Sequence, residues 1–442
     1  MNALIVIPAQ FFVSVIVLLV VLHALLGAAA YSIWLERRLS GWIQDRLGPN
    51  RVGPYGLLQP LADGVKMITK EDYRPGGADR VLFTMAPGLI VIPALLGWAI
   101  IPWGGYIEIG HSFTILWGLI GVEAGRTLIA ALNINVGVVF VLAVSSLGVY
   151  GVVLGGWASN NKYSLLGGLR ATTAMVSYEI PLGVSLLTIL LVTGTVMPER
   201  LVEAQANGAW FIIAQPIAAI IFFVCLLAEA NRAPFDNAEA EAELVGGYHT
   251  EYSSMRMGVF FVAEYAHVVA GAALFSTLFL GGYHLPGVAW LSPEIAGLAP
   301  ALLKFGVLAG KSFLMVSFVM LCRWTLPRMR WDQVMQLAWN GLIPLSIAGL
   351  VATATLVYLG WTAWWQQSIM SVMVGATVIA LQSVLPKSDV NRKVTLVGSR
   401  FHAPPGQAWR PAPSAPAAQS PASDEVEDHA APRTEAALVG AR

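Results

Sequence analysis

The chain has 442 residues, of which 56% are hydrophobic and only 12% charged, and its mean hydropathy is +0.66. Soluble domains carry about 25% charged residues, so most of this surface is not built for water. A formal net charge of zero argues against nucleic acid as a partner. The two cysteines, Cys225 and Cys322, are too few for an iron–sulfur cluster, which takes about four.

The N-terminal run "MNALIVIPAQFFVSVIVLLVVLHALLGAAAYSIWLERR" has no basic leader and exceeds the roughly 7–15 apolar residues of a signal peptide. It predicts a first spanning helix. A span needs about 20 apolar residues. Nine stretches qualify, near 5–35, 81–103, 134–157, 171–195, 210–229, 259–281, 300–322, 338–360 and 365–385. The expected architecture is therefore an all-α polytopic membrane protein. With an outer N-terminus and alternating spans, the inner segments hold 22 of the 26 Lys and Arg, a strong positive-inside bias.

After the first span, "GPNRVGP" places two Gly-Pro turns. Leu57, Leu61, Val65 and Ile68 then recur at helical spacing, with Asp63, Lys66 and Lys70 facing the other way. That pattern predicts an amphipathic helix on the membrane surface. It serves either as a basic anchor or as the wall of a cavity lined by Arg37, Arg46 and Asp63. Residues 106–133 are apolar but carry Glu108, Glu123 and Arg126. They predict a re-entrant or interfacial excursion, with Glu123 and Arg126 as a local pair.

The segment "NRAPFDNAEAEAEL" gathers Asp236, Glu239, Glu241 and Glu243. On a helix, Asp236, Glu239 and Glu243 share a face and Glu241 points away. A solvated loop is one reading. Ionisable residues inside neighbouring spans support another: Glu179, Glu229, Glu264, Lys304 and Lys311. A charge at mid-bilayer costs about 2.5–3.5 kcal/mol on insertion scales, so such groups mark an ion path or pair with one another, as Glu179 could with Lys311. Crowded carboxylates in a low dielectric titrate as a coupled set and hold protons near neutral pH. His267, one turn from Glu264, reads as an interior histidine. No phosphate loop, dinucleotide fingerprint or HExxH motif is present. Residues 388–442 are Pro/Ala-rich without apolar periodicity and predict a disordered cytoplasmic tail.

The blocks "ERR…IQDRLGPNRVGPYGLLQPLADGVKMITKED", "AEANRAPFDNAEAEAELVGGYHTEYSSM", "FFVAEY" and "RWTLPRMRWDQVMQLAW" resemble the H-subunit family of the proton-translocating NADH:quinone oxidoreductase, respiratory complex I. The resemblance implies an eight-helix core to which this chain adds a ninth helix. It implies a membrane domain over 1–387 whose cytoplasmic loops 36–80 and 230–258 form the quinone-site region. Arg37, Arg46, Asp63, Arg232 and Arg328 fall at positions lining or bordering the quinone tunnel. Glu179, Glu229, Glu239, Glu241, Glu243, Glu251, Glu264 and Lys311 fall on the proton path. The chain would bind no redox cofactor of its own. Quinone, ubiquinone or menaquinone, would be the substrate, with FMN and iron–sulfur clusters in partner subunits. Its partners would be other complex I subunits and lipid of a bacterial cell membrane. The chain departs from the family at Asp236-Asn237-Ala238, where Asp-Leu-Pro is common. A hydrogenase-complex membrane subunit and a stand-alone proton-coupled transporter are the alternative readings.

Overall fold

The computed structural model describes residues 5–115, 120–237 and 244–384. The predicted tail at 388–442 lies outside the described residues. Each of the nine predicted spans falls largely on helix. The first, α1 (Ala9–Ile43), is followed by the amphipathic α2 (Gln59–Thr69), then α3 (Arg80–Leu96). Next come α4 (Gly137–Ala158), α5 (Lys162–Thr193) and α6 (Pro198–Asn207). A single turn, α7 (Phe211–Ala214), precedes α8 (Pro216–Glu229). The last four are α9 (Ser254–Phe279), α10 (Leu298–Thr325), α11 (Trp331–Tyr358) and α12 (Trp364–Val384). Among the described residues six helices are long and apolar enough to cross a membrane, and α3 and α8 are shorter apolar helices. The protein is an all-α polytopic membrane protein.

Local chemistry sets the boundaries. Asp79 caps α3 by accepting from the Val81 and Leu82 amides, both at 2.9 Å. Asn161 caps α5 in the same way through Tyr163. Gly194, at φ 67°, ends α5 in the left-handed region that favours glycine. Glycine also permits close approach: a Cβ on Gly167 would lie 2.6 Å from Gly247 Cα, so α5 and the turn before α9 touch backbone to backbone. Within α11 the ladder loosens to a π-helical stretch at Leu337–Leu342. There Trp339 Nε1 donates to Ser177 Oγ at 3.3 Å. Both cysteines are buried, packed as small apolar side chains.

The helices alternate in direction, so the molecule has two ends. One carries α2 and the turns after α8 and α10; we call it the loop end. The other carries residues 97–136. There the predicted excursion is a small β layer. Strands β1 (Ile5–Ile7), β3 (Phe113–Ile115) and β4 (Ile120–Val122) form a sheet in the order β1-β4-β3, parallel between β1 and β4 and antiparallel between β4 and β3. Strands β2 (Tyr106–Ile109) and β5 (Gly125–Leu128) pair antiparallel. The side-chain amide of Gln10 extends the layer, donating to Leu128 O at 3.0 Å and accepting from Leu128 N at 2.9 Å. The predicted Glu123–Arg126 pair is not what forms. Arg126 sits in register opposite Glu108, over the Tyr106 ring at 4.2 Å. A β pair places cross-strand neighbours together, whereas the i, i+3 contact requires a helix.

Candidate functional site: a buried carboxylate–guanidinium cluster and a chain of acids

At the loop end Glu36 is buried on α1. It lies on the same stripe as Leu25, Ala29, Ser32 and Ser40. Its Oε2 accepts from Tyr265 OH at 2.8 Å and from Arg232 Nη1 at 3.3 Å. Its Oε1 accepts from Arg323 Nη1. The Arg232 guanidinium lies 4.1 Å from the Tyr265 ring centroid. Four elements thus converge: α1, the turn after α8, α9 and α10. A second pair, Arg328 with buried Asp236, joins the turn after α10 to the turn after α8.

Below this cluster an apolar cavity of about 340 Å³ opens between α1, α9 and α10. Its lining includes Trp98, Trp103, Phe305 and Val269. Toward the loop end it reaches Leu35 and Val316. Leu35 adjoins Glu36 in sequence, and Val316 lies one helical turn before the Val319–Arg323 stretch that walls the charged cluster. The arrangement suits a molecule with a polar head and a long apolar body.

The predicted tunnel residues divide. Arg232 belongs to the Glu36 cluster and Arg328 to the neighbouring Asp236 pair. Arg37 and Asp63 form an exposed ion pair at 2.7 Å that ties α1 to α2, with Gln59 also donating to Asp63. Arg46 is exposed and donates to Gln44 Oε1 at 2.8 Å; it does not join the cluster.

The predicted acids sit at successive positions through the helical body. Glu251 accepts from Asn161 Nδ2 at 2.6 Å, beside an open polar cavity of about 450 Å³. Glu264 is buried and accepts from Tyr248 OH at 3.0 Å. Glu229, the last residue of α8, lines a cavity of about 50 Å³ with Ser145 and His267, room for water. Glu179 accepts from Ser146 Oγ at 3.3 Å. Glu239, Glu241 and Glu243 lie outside the described residues.

Lys311 and Glu179 do not pair. The Lys311 ammonium spends its three N–H donors on the carbonyls of Leu280 (2.6 Å), Gly282 (2.8 Å) and His284 (2.7 Å). These carbonyls belong to the cap and the turn that follow the C-terminal end of α9, where backbone oxygens lack helical partners and attract a cation. Lys304 likewise donates to Ile295 O at 2.7 Å. At the same end burial raises the Glu199 pKa. Burial, then the positive charge of Lys311, lowers that of His284.

Sequence reasoning missed Glu36, Tyr265 and Arg323. The signal for Glu36 was available: it continues the buried i, i+3, i+4 stripe of α1, so its carboxylate faces inward.

A polytopic helical bundle with a charged cluster above an apolar cavity and acids threaded through its body defines a multi-pass membrane protein that keeps ionisable groups inside its helical core. The NADH dehydrogenase family matches residues 15–354. The H subunit of the NADH-quinone oxidoreductase of Flavobacterium johnsoniae is 43% identical over 343 residues, 77% of this chain and 94% of the relative. The first of the numbered H subunits of Geobacter metallireducens is 45% identical over 339 residues, covering 77% and 94%. The second of those of Koribacter versatilis is 46% identical over 353 residues, covering 78% and 97%. The chain belongs to the H-subunit family of NADH-quinone oxidoreductase. It is a multi-pass membrane subunit of an oxidoreductase complex in a bacterial membrane, and other subunits of that complex are its partners.

Proposed function

We propose that this protein receives the quinone, holds its head at the Glu36–Arg232–Tyr265–Arg323 cluster, and passes the electrical consequence of its reduction to the buried acids. The carrying observation is the juxtaposition of the apolar cavity with that cluster. An isoprenoid tail fits the cavity's apolar lining. Guanidinium and phenol donors beside the cavity suit quinone oxygens, and would favour the anionic forms met during reduction. In this reading Arg37, Arg46, Asp63 and Arg328 border the access route on the loop side. That side is cytoplasmic, the N-terminus is outside, and FMN and iron–sulfur clusters reside in partner subunits.

Reduction to quinol takes up two electrons and two protons. A unit charge developing roughly 10 Å from a carboxyl, at an effective dielectric of about 20, changes its energy by about 1.7 kcal/mol. That is about one pKa unit, enough to move a proton between sites of similar affinity. Glu251, Glu264, Glu229 and Glu179 form the path, with Glu239, Glu241 and Glu243 as further members of the same acidic set. The assembled complex should photo-label with an azido-quinone at residues within reach of Glu36, Tyr265 and Arg323. Labels confined to the β-layer end would sink the quinone assignment. For coupling, Glu179→Gln and Glu229→Gln should abolish proton translocation. Full proton yield per NADH in both variants would remove that half of the reading.

A further inference from the structure

The family match ends at residue 354, before α12 begins. The span that α12 packs against is broken. α8 has 14 residues, about 21 Å of helix, short of the ~30 Å hydrocarbon core. The preceding turn α7 is separated from it at Gln215, whose φ −133° and ψ 62° are not helical. Pro216 has no N–H to satisfy, and the amide of Ile217, in the first turn of α8, has no acceptor within its own helix. In a membrane such a group cannot be left to lipid.

α12 supplies what the break lacks. Ile217 N donates to Ser371 Oγ at 3.2 Å. Gln215 Nε2 donates to Gln367 Oε1 at 3.2 Å and to Thr353 Oγ1 of α11 at 3.4 Å. Gln367 in turn donates to Thr362 O at 3.1 Å. The side chains of Gln215, Thr353, Gln367 and Ser371 are all buried. Gly375 lets the helices close up: a Cβ there would lie 2.8 Å from Ile217 Cδ1. Buried polar contacts and small residues are what bind helices within a bilayer.

We propose that α12 is a clamp on this discontinuous span, with Gln367 and Ser371 as positioning residues. Ser371 caps α8 from another helix, and the network sets the depth and rotation of α8. Because α8 is continuous to Glu229, the clamp fixes where that carboxylate meets its cavity. This consequence rests on the proton-path reading of Glu229; the capping itself does not.

The test uses the full chain in the assembled complex. In Ser371→Ala, hydrogen exchange in peptides spanning 216–220 should rise roughly 2- to 30-fold, as for loss of an N-cap. The pH profile of NADH-driven proton translocation should shift with it. Ser371→Thr, which keeps the hydroxyl, should restore both. Gln367→Leu gives a second variant should the first assemble poorly. Unchanged exchange in both Ser371→Ala and Gln367→Leu would overturn the clamp. Raised exchange with an unaltered pH profile would reduce α12 to a cover and overturn the positioning role. Quinone photo-labelling near Glu36 should be the same in every variant, so failure here is separable from failure of the quinone-site assignment.

Discussion

Replacing Glu36 by glutamine removes one charge from the cluster and little volume. The carboxylate accepts from Tyr265, Arg232 and Arg323. Gln presents one oxygen, and its amide N–H groups face a guanidinium. A hydrogen bond to a charged group contributes about 1.5–3 kcal/mol. The Arg232 side chain is only 11% exposed and bears its share of this in full. That of Arg323 is 36% exposed, and solvent screens most of its loss. The net cost is about 2–3 kcal/mol, a fall of roughly 30- to 150-fold in quinone turnover if the cluster holds the quinone head. The assay is NADH-driven reduction of a short-chain quinone by membrane vesicles. NADH-driven ferricyanide reduction, which bypasses the quinone site, normalises for assembly. Quinone turnover within twofold of the unmodified protein, at an unchanged ferricyanide rate, would refute the assignment.

The exposed Arg37–Asp63 pair should couple by only about 0.2–1 kcal/mol in a double-mutant cycle read by thermal unfolding, and by less at high salt. Lys311→Met strands three carbonyls, each worth about 1–3 kcal/mol if left unpaired. It should lower the melting temperature of the complex in detergent by several degrees; an unchanged melting temperature with lost proton translocation would make Lys311 a proton carrier instead. Burial raises the Glu199 pKa above its ordinary 4.5. The folded state therefore binds that proton more tightly than the unfolded chain. Glu199 favours folding most below about pH 4.5, and its contribution is lost as pH rises through the raised value. Glu199→Gln should flatten that decline in a melting-temperature series, and an identical slope in both proteins would count against its burial.

Much of the architecture was legible in residue order, because hydrocarbon imposes a simple rule. A span must be about 20 apolar residues long and satisfy its backbone within itself. That rule located all nine apolar helical stretches, and period-3.6 apolar spacing located α2. It did not give the strands at 106–133, where β2 pairs β5 and β3 pairs β4 within the segment and β4 also pairs the distant β1. Strand pairing depends on non-local partners such as β1, more than a hundred residues away. The individual acids were also legible, since a carboxyl inside an apolar run is costly enough to stand out.

Their partners were not. Glu36 meets Arg323 across 287 positions and Arg232 across 196, and only folding brings those groups together. The same holds for Lys311, which a linear reading sets against Glu179 and the fold sets against three carbonyls. Composition and periodicity thus determined that this chain lies in a membrane, where its helices run and which residues are charged within them. Which charge neutralises which, where an apolar cavity meets a polar cluster, and which helix caps the broken span were decided by tertiary packing. Coulombic and hydrogen-bond energies depend on distances of a few ångströms, and spacing along the chain does not specify those.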